Sequence, residues 1–276
     1  MPSNREAYFE ALKLDIPKQV IYFALQEVNG FSYSELTKHF DDKIKDYFTF
    51  KYAIMRYKNG EMIEYIFNKA YFLSRPFYVD QNVLIPRQET EQLVETTIKL
   101  VKEKYPKGGA AIADVCSGSG VIGLSIAKAL DNNKYYLSDI SKEAIRVAEI
   151  NVKQLGVENA VLLQGDMLSP FIEQGIRLNV LICNPPYIKN KNTIDERTWK
   201  QEPHLALLAS PSTLFYEQIF KDYKKVMAKQ FIMTFEIGED MEKVLTDLIH
   251  KYLSSVSFRF EKDIYEKTRF LFIEQK

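Results

Sequence analysis

From residue 110 onward the chain alternates between short apolar runs and longer stretches of helical period, and that alternation leaves few folds open. The strand candidates are Ala110–Val115, Tyr135–Ser138, Ala160–Leu163, Asn179–Cys183 and Gln230–Phe235. Between and after them lie helix candidates at Val121–Leu130, Ser141–Leu155, Leu214–Met227 and Met241–Tyr252. Strands that each lead into a helix pair in parallel, and near-continuous apolar strands are buried on both faces. The expectation is therefore an α/β domain, a parallel sheet covered by helices on both sides. Val256–Phe260 and Arg269–Ile273, joined by a short polar turn, predict an antiparallel hairpin at the sheet's edge.

Upstream the pattern changes. Tyr71–Val79 turns aromatic and β-branched around Ser74-Arg75-Pro76, the pattern of a hairpin. The first 70 or so residues are helical in character. Val20-Ile21, Phe23-Ala24-Leu25 and Val28 suit one buried helix that stops at Gly30. Ser34-Glu35-Leu36 begins a second, and Ile44 to Tyr57 offers a third. The chain thus divides into a helical domain over 1–70, a hairpin linker over 71–88 and the α/β domain over 89–276.

Composition narrows the function classes. Lys plus Arg and Asp plus Glu each total 37, a neutral balance unlike the basic excess of proteins that track nucleic acid through many phosphates. No apolar run approaches the roughly 20 residues of a membrane span. The N-terminal Met1–Glu6 has no apolar core, so it is not the pattern of a signal peptide. Two cysteines are too few for a disulfide framework, and a reducing cytoplasm is the expected setting. His39, His204 and His250 are widely spaced and no cysteines stand at ligand spacing, so no metal site is expected.

Two segments carry chemistry. The first is Asp114-Val115-Cys116-Ser117-Gly118-Ser119-Gly120, where a buried strand runs into a helix. At the carboxyl end of a strand in an open α/β sheet, such a loop brings backbone close to a ligand. Asp139 closes the next strand, the place from which a carboxylate reaches ribose hydroxyls. Gly118-Ser119-Gly120-Val121-Ile122-Gly123 also satisfies the dinucleotide G-x-G-x-x-G pattern, so this loop alone does not separate a nicotinamide enzyme from a methyltransferase. Gly165-Asp166-Met167 follows the third strand and is placed to meet the far end of the same ligand.

The second segment is Asn184-Pro185-Pro186-Tyr187, directly after the buried strand Val180–Cys183. Consecutive prolines fix φ and remove two donors, leaving carbonyls that only accept. The Asn184 side-chain oxygen adds another acceptor. Together they suit a planar NH₂ group, with the Tyr187 ring available to pack against it. A delocalised amide or aromatic amino nitrogen is a poor nucleophile. Acceptors on its N–H bonds concentrate charge on nitrogen and strengthen as methyl transfers, so they stabilise the transition state more than the ground state. Cys116 and Cys183 close the strands before these two segments. Those strands are expected to be neighbours, which puts the two cysteines near disulfide spacing, although two packed free thiols is the simpler expectation.

With these residues set out, the chain resembles the release-factor glutamine methyltransferases, the PrmC/HemK-type family. Gly60-Glu61, Tyr65-Ile66, Phe72, Phe77-Tyr78-Val79 and Ile85-Pro86-Arg87-Gln88-Glu89-Thr90-Glu91 resemble its linker and signature. Glu202-Pro203 with Ala206-Leu207 resembles a later element. The resemblance implies a Rossmann-like, seven-stranded class I methyltransferase domain with a small N-terminal helical domain for substrate docking. It also implies S-adenosylmethionine as cofactor, S-adenosylhomocysteine as product, and the glutamine of the Gly-Gly-Gln loop of class-1 peptide-chain release factors as substrate. Cys116, Ser117, Gly118, Ser119 and Gly120 would then line the methionine end of the cofactor. Asp139 would bind ribose, Asp166 and Met167 would lie near adenine, and Asn184 would border the cofactor. Asn184, Pro185, Pro186 and Tyr187 would hold and activate the glutamine amide. Three departures stand out: Cys116 replaces a glycine, Gln88 replaces a proline, and Leu208-Ala209-Ser210-Pro211-Ser212 replaces a glycine-rich stretch. The alternatives are an amino-methylating DNA or RNA enzyme using the same tetrapeptide and, in another class, a non-catalytic cofactor-binding adaptor.

Overall fold

The computed structural model describes residues Met1–Gln275; the last residue of the expected 89–276 domain lies outside them. Two compact units emerge. One comprises Met1–Lys69 together with Glu196–Gln201, and the other Ala70–Asp195 with Glu202–Lys276.

The first unit is helical: α1 (Asn4–Leu12), α2 (Lys18–Asn29), α3 (Tyr33–Lys38), α4 (Tyr47–Lys58) and α5 (Ile63–Phe67). A capping box at Ser3 and Glu6 starts α1, a second at Ser32 and Glu35 starts α3, and Gly30 ends α2 in the left-handed region. Ala7, Ile21, Leu25, Leu36, Phe50, Ile54 and Ile63 form the unit's own core. The short helix at Glu196–Gln201 belongs to this unit, where the Arg197 guanidinium lies 3.8 Å from the centre of the Tyr57 ring. Sequence reasoning expected three helices here and missed α1 and α5, although Ser3-x-x-Glu6 is a legible capping signal.

The second unit opens with a hairpin of β1 (Ala70–Phe72) and β2 (Arg75–Phe77), turning at Leu73 and Ser74, both at positive φ. After α6 (Glu89–Lys104) come β3 (Ala111–Val115), α7 (Val121–Ala129), β4 (Lys134–Asp139), α8 (Lys142–Leu155), β5 (Ala160–Gln164), α9 (Ser169–Glu173) and β6 (Leu178–Cys183). Beyond α10 (Glu196–Gln201), the segment that joins the helical unit, the chain continues through α11 (Leu214–Val226), β7 (Met227–Glu236), α12 (Glu242–Tyr252), β8 (Val256–Lys262) and β9 (Thr268–Gln275). Among the described residues the large sheet has seven strands in the order β5-β4-β3-β6-β7-β9-β8. The first five are parallel, and β9 and β8 are the expected antiparallel edge hairpin.

Side chains alternate across the sheet and build two cores. Ile112, Val180, Ile182 and Ile232 pack with Leu93, Val94 and Ile122 on one face. Ala113, Leu181, Met233 and Phe235 pack with Phe220, Leu245 and Ile249 on the other. No helix among the described residues is long and apolar enough to cross a membrane.

Candidate active site

The carboxyl ends of β3, β4, β5 and β6 converge on one crevice. Its lining includes Cys116, Ser117, Gly118, Ser119, Asp139, Asp166, Met167, Asn184 and Pro186. Gly120, Pro185 and Tyr187 are not among the residues that line it, although each adjoins one that does.

The loop after β3 is held from three directions. The Gly118 N–H donates to Asp139 Oδ2 at 2.9 Å, and the Ser141 N–H donates to Asp139 Oδ1 at 2.9 Å. Burial pushes the Asp139 carboxyl up, and these backbone donors pull it back. The Ser117 N–H donates to the Ser138 carbonyl at 2.9 Å. From α8, the fully buried Asn151 side chain donates to the Ser119 carbonyl and exchanges two hydrogen bonds with the Tyr78 backbone. Only glycine suits position 120, because at φ 81° a Cβ would meet Leu137 Cδ2 at 2.7 Å. Cys116 stands at φ 60°, in the left-handed region that favours glycine. Its thiol donates to the Met167 sulfur at 3.6 Å.

Asp114 lies under this loop, fully buried. Its Oδ2 accepts from the Gly123 N–H at 2.8 Å. Burial pushes its carboxyl up to about 7, with the Asp139 charge adding to the rise. Asp114 Oδ1, Ser117 Oγ and Ser138 Oγ are buried without a hydrogen-bond partner among the described residues. Of these residues Ser117 and Ser138 line the crevice, and unpartnered hydroxyls beside the Asp139 carboxylate fit a polar ligand that brings its own donors. The exposed Ile140, in the crevice wall next to Asp139, adds an apolar surface for a flat ring.

β6 delivers the second segment next door. Val115 pairs with Cys183 in parallel register, so the two chemical loops leave adjacent strands side by side. Cys183 is fully buried, and burial followed by hydrogen bonding to the Cys116 thiol raises its pKa. Both cysteines are free. Pro185 and Pro186 are buried while Asn184 is partly exposed toward the crevice. The Asn184 side chain makes no hydrogen bond among the described residues. Just past the tetrapeptide, Ile188 donates to the Leu207 carbonyl at 3.2 Å and accepts from the Ala209 N–H at 3.1 Å. The Leu208–Ser212 stretch therefore splints the tetrapeptide despite lacking glycines.

Sequence reasoning missed the supports behind these loops. Glu236, 3% exposed at the end of β7, accepts from the Tyr187 hydroxyl at 3.1 Å and from Thr90 Oγ1 at 2.6 Å. Arg269 on β9 reaches the Tyr187 hydroxyl at 3.5 Å and is anchored to Asp263. Burial and the Glu236 charge raise the Tyr187 phenol well above its ordinary range, so it remains a donor. Glu202 accepts from the Ile85 N–H at 3.2 Å and from Arg87 at 2.5 Å, fixing the Ile85–Arg87 wall of the crevice. An acidic residue ending the apolar run Phe231–Phe235 was the available signal for Glu236.

Sheet order, with the glycine loop and the Asn-Pro-Pro-Tyr segment at the ends of adjacent strands, defines a class I methyltransferase domain. The Methyltransferase small domain family matches residues 91–240, 150 of the 276 residues. A solved ribosomal protein L11 methylase from Lactobacillus delbrueckii subsp. bulgaricus shares the fold, with a TM-score of 0.52 at 16% identity over 72% of this chain and 84% of that one. Closer in sequence are the release factor glutamine methyltransferase of Mycoplasma mycoides subsp. mycoides SC, 31% identical over 95% of this chain and 94% of its own, and that of Bacillus subtilis, 36% identical over 80% and 78%. The chain belongs to the release factor glutamine methyltransferase family.

Proposed function

We propose that this protein transfers a methyl group from S-adenosylmethionine to the side-chain amide nitrogen of the glutamine in the Gly-Gly-Gln loop of class-1 release factors. The observation that carries the reading is that Asn184 and Pro186, and the Cys116–Ser119 loop, follow neighbouring strands and line one crevice. S-adenosylmethionine supplies an electrophilic methyl on a sulfonium. Ser117, Gly118 and Ser119 cradle its amino-acid end, with Cys116 and Gly120 shaping the turn. Asp139 takes the ribose hydroxyls on lone pairs left over from Gly118 and Ser141. Asp166, Met167 and Ile140 border the base.

At the other end of the crevice the Asn184 oxygen and the Pro185 carbonyl, in the peptide bond to the crevice-lining Pro186, accept from the glutamine NH₂. That leaves its lone pair free to point toward the methyl, which is positioning more than bond-making chemistry. As nitrogen gains positive charge these acceptors bind it more tightly. The proton is acidic only after transfer, so no strong base is required beforehand.

The helical unit serves substrate docking. On α4, Phe48, Tyr52 and Met55 recur at helical spacing and are 85%, 65% and 55% exposed, an apolar stripe suited to a protein partner. Replacing them with serine should raise KM for a folded release factor and leave a short Gly-Gly-Gln peptide unaffected. The test of the whole reading is tritiated-methyl transfer to purified release factor, ribosomal RNA and DNA, with the label located by mass spectrometry. Label on the release-factor glutamine is the expected result; label on nucleic acid alone would overturn it.

A further inference from the structure

We infer that Glu236 is a positioning residue for methyl transfer, holding Tyr187 in place through its hydroxyl and tying it to the opposite crevice wall through Thr90. The inference rests on the amide-methylation reading above. In the parallel register Cys183 pairs with Phe235, so Glu236 stands level with Asn184 on the adjacent strand. Because side chains alternate, Phe235 joins the core beside Cys183 and Glu236 turns to the other face, where α6 presents Thr90. Its two carboxylate oxygens go to different elements, one to Tyr187 and one to Thr90. Thr90 itself lines the crevice, whereas Tyr187 does not, although its chain neighbour Pro186 does.

Burying a carboxylate to satisfy two hydroxyls is unfavourable unless its geometry matters. Here a cation and two hydroxyl donors offset that cost. Arg269 is anchored by the buried Asp263 and by the Ile237 carbonyl, so its charge is fixed near the Tyr187 hydroxyl. The Glu236 backbone carbonyl is likewise occupied, by the hydroxyl of fully buried Tyr216 at 2.7 Å. Strand, carboxylate and phenol are therefore immobilised together. Of this group, Tyr187 is the member joined directly to the prolines that accept the amide. A shift of the phenol moves Pro186 and tilts the acceptors away from the lone-pair direction that transfer needs. Misplacement of about 1 Å at a reacting centre costs on the order of 10²-fold in rate.

The test separates positioning from folding and from charge. Purified wild type, Glu236→Gln, Glu236→Ala, Tyr187→Phe and the double variant Glu236→Ala/Tyr187→Phe are assayed for kcat and KM with release factor, and for cofactor affinity by calorimetry. Glu236→Ala is expected to lower kcat by roughly 10–100-fold with KM and cofactor affinity within about threefold. Glu236→Gln keeps the shape and an acceptor, and is expected to recover most of the rate. The double variant should be little slower than Tyr187→Phe alone, because both remove the same tether. Multiplicative effects in the double variant, or a Gln variant as slow as the Ala variant, would overturn the inference. Should Glu236→Ala fail to fold, Thr90→Val replaces it in the cycle, since it removes the second tether with little change in volume. If the amide-methylation reading itself is wrong, wild type transfers no label to release factor, an outcome distinct from active wild type with unaffected variants.

Discussion

Replacing Asp114 with asparagine isolates the electrostatic cost of the carboxylate buried beneath the glycine loop. In the folded protein burial lifts its carboxyl from 3.8 to about 7. A carboxyl whose folded pKa lies above its unfolded value makes the folded state bind more protons, so its contribution to stability is intact below about pH 4 and is lost as pH rises toward 7. A rise of roughly three in pKa, at about 1.36 kcal/mol for each unit, puts the full loss near 4 kcal/mol above pH 7. Asparagine keeps an oxygen to accept from the Gly123 N–H and never ionises. Its NH₂ buries an additional polar N–H compared with the protonated acid, a cost of about 1–2 kcal/mol at any pH. The variant should therefore be more stable than wild type by roughly 2–3 kcal/mol at pH 8, with the advantage shrinking to about zero near pH 5. The assay is urea unfolding of both cofactor-free proteins at half-unit steps from pH 5 to pH 8. Titrating groups common to both proteins cancel in the difference between the two curves. A difference that stays constant across that range would refute the reasoning, because Asp114 would then be ionised throughout.

At the acceptor end of the crevice, Asn184→Ala should lower kcat by roughly 10²–10³, the scale for one preorganised polar contact at a transition state, and leave cofactor affinity nearly unchanged; an unaltered turnover number would mean the amide is held elsewhere. Asp139→Ala should weaken S-adenosylmethionine binding by about 1–3 kcal/mol in calorimetry, and equal affinity, or NADH binding to wild type, would remove the cofactor assignment. Gly120→Ala forces a Cβ to 2.7 Å from Leu137 at a positive φ, so thermal unfolding should show a loss of about 2–4 kcal/mol; an unchanged Tm would show that the turn relaxes freely.

Much of this architecture was legible because period alone distinguishes a buried strand from an amphipathic helix. β3, β4, β5 and β6 begin and end within a residue or so of the expected runs, and the 256–275 hairpin takes its expected edge position. The ends of β7 were less legible. Its first residues, Met227 to Gln230, include exposed polar side chains that pattern reasoning assigns to a helix end or loop. Within the site, residues whose chemistry is local in sequence were found: the glycine loop, Asp139 and the tetrapeptide. The supports were not. Thr90 and Glu202 stood inside the resembling motifs without a role and Glu236 showed only as an acidic end to an apolar run, because these residues and Arg269 act through partners on distant elements. Cys116 shows the converse case. A cysteine where the resemblance implies glycine was visible in sequence, but the left-handed backbone that favours glycine there needed the φ value.

The hydrogen bonds that build the two halves of the crevice span very different lengths of chain. Around the glycine loop the bonds made by the turn's own amides are 9 and 21 residues long, Gly123 with Asp114 and Gly118 with Asp139, and the Asn151 brace to Ser119 spans 32. Behind the tetrapeptide and in the wall facing it they are 49, 82, 115 and 146 residues apart, Tyr187 with Glu236, Arg269 with Tyr187, Arg87 with Glu202 and Thr90 with Glu236. Closing long loops costs more chain entropy, and the compensating contacts form only once the distant elements have docked. The cofactor-facing turn is thus expected to assemble early in refolding, while the amide-facing side acquires its shape only as the last strands join. Pulse-labelling hydrogen exchange should find the Gly118 and Gly123 amides protected before those of β9, and simultaneous protection would show that the sheet forms in one step. A partly folded chain would then shelter a cofactor-sized turn well before it could discriminate one acceptor nitrogen from another, so selectivity is the property most exposed to damage far along the sequence.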